Sequence, residues 1–229
     1  MMLAMTMKGV LPIIGALGTS GYTAAAAAAA PPAPAPDPQS LVRAGMQKFK
    51  QQGDVEGSLK DFNTALTLRP SIYPYLWQRG LSLYYIGTPE ALQLGAKQFR
   101  DDVAVNPNDT EEAIWAFMCE ARLSSPEQAR QYFVVVGRDS RPVMRAAYEA
   151  FRQGLDPIET IRGAVGNVEQ GHSAFYSWLY VGLWYEAHGR ESDAQAAILK
   201  ALDTDYARSS GDYMAAVARV HAKRRIWEI

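Results

Sequence analysis

The sequence WLYVGLWYEAHGRESDAQAAILKAL, from Trp178 to Leu202, decides the fold, because small and large side chains alternate in it as two closely packed antiparallel helices require. Gly182 and Ala194 are small where the two helices would approach each other most closely, and Gly189 is placed to end the first helix. One such hairpin cannot bury its own apolar face. The stretch therefore predicts neighbouring helical hairpins.

The spacing of residues in this stretch resembles the pattern of the tetratricopeptide repeat (TPR) family. That pattern is W-x2-L-G-x2-Y followed by A-x3-F, and the stretch differs from it by two aliphatic substitutions. The resemblance implies an all-α protein built from helix pairs. The matching positions are Trp178, Val181, Gly182, Tyr185, Ala194 and Ile198.

Further helix pairs are predicted before this one. The first runs to Pro70, and the second runs from Trp77 to Pro107, with Gly87 placed to end its first helix. Gly80 and Gly182 are 102 residues apart, which is three periods of the 34-residue repeat, so two degenerate pairs are expected between them. The first of these would run from Thr110, as N-cap, to Val136, and the second from Pro142 to Val165.

These observations predict an all-α, TPR-like right-handed helical solenoid of about five helix pairs. A last amphipathic segment, Asp212 to Arg225, is expected to form a C-terminal capping helix.

The N-terminal region has the composition of a targeting segment. It combines Lys8, a short apolar run from Gly9 to Gly18, and an alanine tract that offers cleavage sites. A disordered N-terminal tail is the alternative interpretation. The predicted domains are a cleavable export-like signal (1–30), a Pro/Ala-rich spacer (31–39) and a TPR-like repeat domain (40–229).

The composition excludes several classes of protein. With 229 residues, 48% apolar and 21% charged, the chain is long enough to bury a core. A net charge of -1 gives no sign of a nucleic-acid partner. The apolar run near the N-terminus is too short to span a membrane, so we expect no transmembrane segment in the mature chain. A single cysteine, Cys119, excludes an intramolecular disulfide.

Four stretches extend the resemblance, over residues 41–227, to plastid-targeted TPR-like proteins of plants and algae. It implies a non-enzymatic protein of the chloroplast, in the thylakoid lumen or stroma, that is peripheral to membrane complexes and assists their assembly or maintenance. A bacterial periplasmic TPR adaptor remains an alternative, because the Ser- and Arg-rich leader of a plastid protein is missing. The four stretches are LWQRGLSLYYIG, FRDDVAVNPNDTEEAIWAFMCEA, VGRDSRPVM and SGDYMAAVARVH.

A TPR superhelix binds its partner on the concave face that the first helices of successive pairs line. We predict a protein or peptide segment as the partner there, held by aromatic and arginine anchors. The alternative for the aromatic residues is packing between repeats. The predicted groove residues are Trp77, Arg79, Leu81, Tyr84, Tyr176, Leu179, Leu183 and Glu186.

No phosphate-binding loop, nucleophile elbow or catalytic carboxylate pair is recognisable, so we expect neither an enzyme nor a cofactor. An active site in the degenerate middle repeats is the alternative, although an apolar helix around the cysteine favours a buried thiol. The residues of that alternative site are Cys119, Tyr132, Arg138 and Asp139.

The remaining polar residues receive structural interpretations. His172, His188 and His221 do not have the spacing of metal ligands, so no metal site is predicted. The mixed-charge stretch from Arg100 to Glu112 is interpreted as helix caps and solvated ion pairs.

Overall fold

The computed structural model describes residues 36–227, which form helices and no β-strand. The prediction of an all-α chain is confirmed for these residues, and helices that follow one another in sequence pack in pairs. The α-helices are α1 (Pro38–Gln47), α2 (Val55–Leu68), α3 (Trp77–Ile86), α4 (Pro89–Val105), α5 (Thr110–Leu123), α6 (Pro126–Gln131), α7 (Pro142–Gln153), α8 (Gly171–Ala187), α9 (Glu191–Leu202), α10 (Asp205–Ser209) and α11 (Tyr213–Arg224). Shorter helical segments are the π-helical Lys48–Gln52 and Ile158–Arg162 and the 3-10 turn Pro70–Tyr75.

Side-chain caps begin seven of the eleven α-helices of residues 36–227. Asp54 accepts a hydrogen bond from the amide of Gly57 at the start of α2 (2.8 Å), and Asp109 accepts one from the amide of Glu111 at the start of α5 (3.0 Å). The prediction that Thr110 caps α5 is wrong by one residue. Asp109 reaches an amide that has no partner within the helix, so Thr110 becomes the first helical residue.

Two of the predicted helix ends are confirmed at glycines. Gly87 follows α3 with φ of 74°, and Gly189 follows α8 with φ of 71°. A side chain would be strained in this left-handed region, and glycine is not. Each chain reversal therefore falls where the sequence predicts it.

Three hairpins have a glycine in the first helix beneath a bulky side chain of the second. A Cβ atom on Gly182 would lie 2.7 Å from Cδ1 of Ile198 and 3.2 Å from the carbonyl oxygen of Ala194. Such distances leave no room for a methyl group, so the prediction that Gly182 marks the closest approach is confirmed. The three glycine and bulky-residue pairs are Gly45 with Phe62, Gly80 with Phe99, and Gly182 with Ile198.

The middle of the chain is less helical than predicted. Helix α6 has six residues, and the chain from 133 to 139 has no regular secondary structure. Three consecutive valines, Val134 to Val136, followed by Gly137 disfavour a helix. The amide of Gly137 donates instead to the carbonyl of Pro107 (2.7 Å). In the next pair, the second helix is reduced to the π-helical segment Ile158–Arg162 and the turns that follow it.

The C-terminal helix α11 packs against the first hairpin of the described chain. The ring of Tyr213 stacks on Phe49 with centroids 5.2 Å apart, and Nζ of Lys50 donates to the carbonyl of Gly211 (2.6 Å). Nine of the twelve residues of α11 are buried. A capping helix contacts only the repeat before it, whereas α11 also contacts the opposite end of the helical region. The expectation of a terminal cap is therefore corrected.

The predicted signal (1–30) and the first part of the spacer (31–35) lie outside the described residues. Helix α1 begins at Pro38, two residues before the predicted start of the repeat domain, and Asp37 caps it through the amide of Ser40 (3.1 Å). Within residues 36–227, each helix is too short or too polar to cross a membrane.

Candidate functional site

Five of the eight predicted groove residues lie in the interior. Helix α3 packs against α2, α4 and α5, and helix α8 packs against α5, α7 and α9, so both helices are enclosed. These five side chains are not available to a partner in this conformation. A substitution at Tyr84 would therefore report on the stability of the core and not on partner binding. The buried residues are Leu81, Tyr84, Leu179 and Leu183, each 0% exposed, and Tyr176, 4% exposed.

Two of the other three groove residues are partly exposed and contact the chain's own C-terminal region. The ring of Trp77 meets the ring of Tyr213 edge-on, with centroids 5.2 Å apart. A carboxylate oxygen of Glu186 accepts a hydrogen bond from Nε of Arg225 (2.9 Å). Part of the surface predicted to hold a partner is thus covered by α11 and the residues that follow it.

Arg79, the third partly exposed groove residue, makes its contacts elsewhere. Its Nε donates to the side-chain oxygen of Asn63 (2.7 Å), and its Nη1 donates to that of Gln98 (3.1 Å). These bonds tie α3 to α2 and α4.

The carboxylate of Glu186 lies in a buried charged cluster. Nε2 of His221 is 2.9 Å from Oε2 of Glu186, and the hydroxyl of Tyr85 is 3.2 Å from Nδ1 of the same histidine. Burial raises the pKa of Glu186, but the contacts with His221 and Arg225 outweigh burial and lower it to about 2. This cluster holds α11 to α8 by charge.

A cavity of about 220 Å³ remains beside the first turn of α11, bordered by α3, α4, α5 and α8. Part of its lining is exposed, which connects the cavity to solvent. The aromatic lining residues are Trp77, Phe99, Trp115, Tyr176 and Tyr213, and the acidic ones are Asp109, Glu111, Glu112 and Asp212.

Glu112 is the most buried acidic residue of this cavity. It is 5% exposed, and its Oε2 accepts no hydrogen bond from residues 36–227. Burial raises the pKa of Glu112 to about 11, and a side-chain hydrogen bond with Asp109 and the negative charges of Asp109 and Asp102 add to the rise. Asp102 is also buried, and burial raises its pKa to about 6. A buried carboxyl oxygen that accepts no hydrogen bond is unfavourable for folding and calls for a functional explanation.

The acidic residues at the edge of the cavity have partners. Asp109 caps α5, as described above. Glu111 accepts hydrogen bonds from Nη1 of Arg141 (2.8 Å) and from the hydroxyl of Tyr180 (3.1 Å). Burial raises the pKa of Glu111, and Arg141 opposes the rise.

Asp212 forms the edge of the cavity on the side of α11. It accepts hydrogen bonds from the hydroxyls of Tyr176 (2.8 Å) and Tyr206 (2.7 Å) and from the amide of Met214 (2.9 Å). Burial alone would raise the pKa of Asp212, but these hydrogen bonds lower it. Its carboxylate is therefore negative at neutral pH.

Aromatic rings complete the cavity wall. Trp115 stacks near Phe99 with centroids 6.4 Å apart, and Trp77 is partly exposed. Neither the indole nitrogen of Trp115 nor the hydroxyl of Tyr213 has a hydrogen-bond partner among residues 36–227. The negative face of an aromatic ring attracts a cation, so acids and rings here favour the same kind of ligand.

A larger depression, about 700 Å³, lies beside α9, α10 and α11. Its charged lining residues are Asp203 and Arg208, which pair with each other (2.9 Å), and Arg219, which donates to the carbonyl of Ala207 (3.0 Å). No carboxyl group there is left buried and unpaired, so we place the candidate site in the smaller cavity.

The burial of Glu112 differs from the prediction. The interpretation of the stretch from Arg100 to Glu112 as caps and solvated ion pairs is correct for Asp109 and wrong for the buried Asp102 and Glu112. One signal was available. Glu112, Trp115 and Cys119 have helical spacing on the apolar face of α5, so the glutamate was due to be buried.

The residues of the alternative active site differ in their surroundings. Cys119 is 0% exposed in α5, and burial raises the pKa of its thiol. Its Sγ lies against Gly95 of α4. Tyr132 is 70% exposed, Arg138 is also exposed, and Asp139 is buried and paired with Arg141 (2.7 Å). A buried thiol with a raised pKa is a poor nucleophile.

The three histidines have separate partners. His172 packs near Tyr176, Nδ1 of His188 lies 2.7 Å from the carbonyl of Trp184, and His221 contacts Glu186. Across residues 36–227, no three histidine, cysteine, aspartate or glutamate side chains are arranged to hold a metal ion.

Comparison with known proteins leaves the resemblance as the sequence analysis stated it. No protein-family model matches this chain, and no curated protein matches it significantly.

Proposed function

We propose that this chain is a non-enzymatic TPR-like scaffold, a right-handed solenoid of about five helix pairs, that binds a protein or peptide segment on its inner surface. We define the inner surface by the groove residues that Asp212, Tyr213 and Arg225 contact, which are the partly exposed Trp77 and Glu186 and the buried Tyr176. The observation that supports the proposal best is that α11 already lies on this surface. An aromatic anchor, Tyr213, and a charged contact from Arg225 hold it there, as in helix-in-groove recognition.

A partner would reach the part of the inner surface that α11 leaves open. The cavity beside the first turn of α11 exposes part of Trp77 and the carboxylates of Asp109, Glu111 and Asp212. We therefore propose that a partner segment enters there beside α11, without displacing it. The buried thiol of Cys119 supports a binding role over catalysis.

Site-specific photo-crosslinking in the native source would test this proposal. Benzoylphenylalanine in place of Trp77 is another aromatic side chain, and we expect it to form a covalent adduct with the partner. Tyr132, which is 70% exposed on another surface, provides the control position. An adduct from position 132, without one from position 77, would disprove binding at the inner surface.

The proposed location is the chloroplast, in the thylakoid lumen or stroma, where the scaffold would assist assembly or maintenance of a photosynthetic complex. The alternative is a bacterial periplasmic adaptor. The resemblance and the N-terminal composition support export, and we expect the mature chain to begin near Ala27 to Pro32. N-terminal sequencing of native protein tests this, and a mature terminus at Met1 or Met2 would overturn export.

A further inference from the structure

We propose that the cavity beside α11 binds one basic side chain of the partner segment, an arginine or a lysine, between the carboxyl group of Glu112 and the ring of Trp77. The inference rests on the proposed function and deepens it, because it names the group that the inner surface recognises.

The charges around the cavity favour a cation. Four acidic residues line it, and none of its lining residues is basic. Arg141 neutralises Glu111 from outside the lining. Asp109 and Asp212 accept hydrogen bonds from amides and hydroxyls, which do not cancel their charge. The cavity therefore has a negative potential.

Glu112 supplies the missing partner for such a cation. Its Oε2 is buried and accepts no hydrogen bond from the described part of the chain, although the residue lines the cavity. A hydrogen bond between a charged donor and a carboxylate contributes about 1.5–3 kcal/mol, and here it satisfies a buried oxygen that otherwise accepts no hydrogen bond.

The volume and the lining select a side chain over a larger molecule. Sites for drug-sized ligands measure about 300–1,000 Å³, and this cavity measures about 220 Å³. Five of its eleven lining residues are aromatic, including Trp77 and Trp115. A guanidinium or ammonium group is stabilised over such rings. A metal ion suits this lining less well, because aromatic rings do not offer metal ligands.

Binding would release a proton. Glu112 carries a proton at neutral pH, and an incoming cation replaces it, so that a carboxylic acid and a cation become an ion pair and a free proton. Affinity should therefore rise with pH. The other groups that face this carboxyl are Asp102, Asp109, Glu111 with its partner Arg141, Asp212, Tyr176 and Tyr213.

The test uses the isolated full chain and the capped peptides Ac-GGRGG-NH2, Ac-GGKGG-NH2 and Ac-GGQGG-NH2. Indole N–H signals of tryptophan labelled with 15N report binding, and those of Trp77 and Trp115 locate it. We expect the arginine or the lysine peptide to bind at least tenfold more tightly than the glutamine peptide. The affinity of the basic peptide should be higher at pH 8 than at pH 6.

Two variants provide the matched comparison. Glu112→Gln keeps the shape of the side chain but cannot become a carboxylate when a cation enters, so it should weaken binding of the basic peptide at least tenfold. Glu159→Gln removes an exposed acid outside the cavity and should change affinity by less than twofold. Circular dichroism verifies that both variants are folded.

Equal affinity for the basic and neutral peptides, or an unchanged affinity in Glu112→Gln, would overturn the inference. Free methylguanidinium chloride is the last probe. Because the cavity is proposed to recognise the side-chain cation itself, methylguanidinium should compete with the arginine peptide for the site, and failure to compete would overturn the inference. If the basic peptides do not bind more tightly than the neutral peptide but a crosslink forms at position 77, the scaffold proposal still holds. Only the inference about the cation would then be wrong.

Discussion

The ring of Tyr213 on α11 meets the ring of Trp77 on α3 edge-on, with centroids 5.2 Å apart and ring planes at 83°. The same tyrosine stacks on Phe49 of the first hairpin. We therefore expect Tyr213→Ala to lower the free energy of unfolding by about 3–5 kcal/mol, since it removes a buried ring from between two hairpins. Urea denaturation followed by tryptophan fluorescence measures this.

Tyr213→Phe is the control for that change. The hydroxyl of Tyr213 has no hydrogen-bond partner in the described chain, so its loss should alter stability by less than about 1 kcal/mol. A loss as large as that of Tyr213→Ala would show that the hydroxyl, and not the ring, holds α11.

Gly182 should not tolerate even a methyl group. A Cβ atom there would lie 2.7 Å from Ile198, so Gly182→Ala is expected to cost about 1–3 kcal/mol through overpacking. Gly211→Ala is the matched control, because nothing lies within 4 Å of its Cβ position. Gly171, with φ of 82°, would add backbone strain and does not serve as a control. Equal melting temperatures for the two variants would contradict the packing described for α8 and α9.

Glu112→Gln should become more stabilising as pH rises. The pKa of Glu112 is higher in the folded chain than in the unfolded chain, so its contribution to stability is fully present below about pH 4.5 and declines above it. Glutamine does not titrate. The free energy of unfolding of the variant minus that of the parent should be larger at pH 8 than at pH 4, by on the order of 1–3 kcal/mol. Chemical denaturation at both pH values measures the difference, and an equal gain at pH 4 and pH 8 would contradict the prediction.

Glu186→Gln should have the opposite pH dependence. The pKa of Glu186 is lowered to about 2 in the folded chain, so its stabilisation is present above about pH 4.5 and is lost as pH falls towards 2. The variant is expected to be less stable than the parent at pH 7, by about 1–3 kcal/mol, because Arg225 and His221 lose their partner. The deficit should shrink at pH 3. A deficit that does not change with pH would mean that packing, not charge, is responsible.

Cys119 should react slowly with thiol reagents in the folded protein. Burial excludes the reagent and raises the pKa of the thiol, so the reactive thiolate is scarce. Labelling with iodoacetamide, followed by mass spectrometry, should be complete only after denaturant is added. Rapid labelling of the native chain would revive an active site near this residue.

The local parts of the fold could be predicted because they depend on spacing within one hairpin. The close approach of Gly182 to Ile198 follows from the small size of glycine. The end of α3 at Gly87 follows from the left-handed backbone conformation that glycine adopts without strain. The non-helical segment 133–139 after α6 was predicted as helix, although the β-branched Val134 to Val136 and Gly137 have low helix propensity.

The candidate site was predicted less well, because it depends on contacts between distant segments. The sequence placed Trp77, Tyr176 and Glu186 on one surface, but it could not show that residues 212–225 would cover that surface. The amphipathic pattern predicts which side of α11 is buried, but it does not predict which helices that side packs against. The burial of Glu112 could be inferred from its position on α5, whereas its lack of a partner required the assembled fold.

The contact between the first hairpin and α11 also governs how the chain loses its structure. Repeat proteins whose units touch only their neighbours can fray from either end, since each terminal unit is held on one side. Here Phe49 holds Tyr213, and Glu56 pairs with Arg224, so neither end can detach without breaking contacts with the other. The helical region should therefore unfold cooperatively, and amide exchange should be slow at both ends. A tag that disturbs the packing of one end should also lower amide protection at the other end.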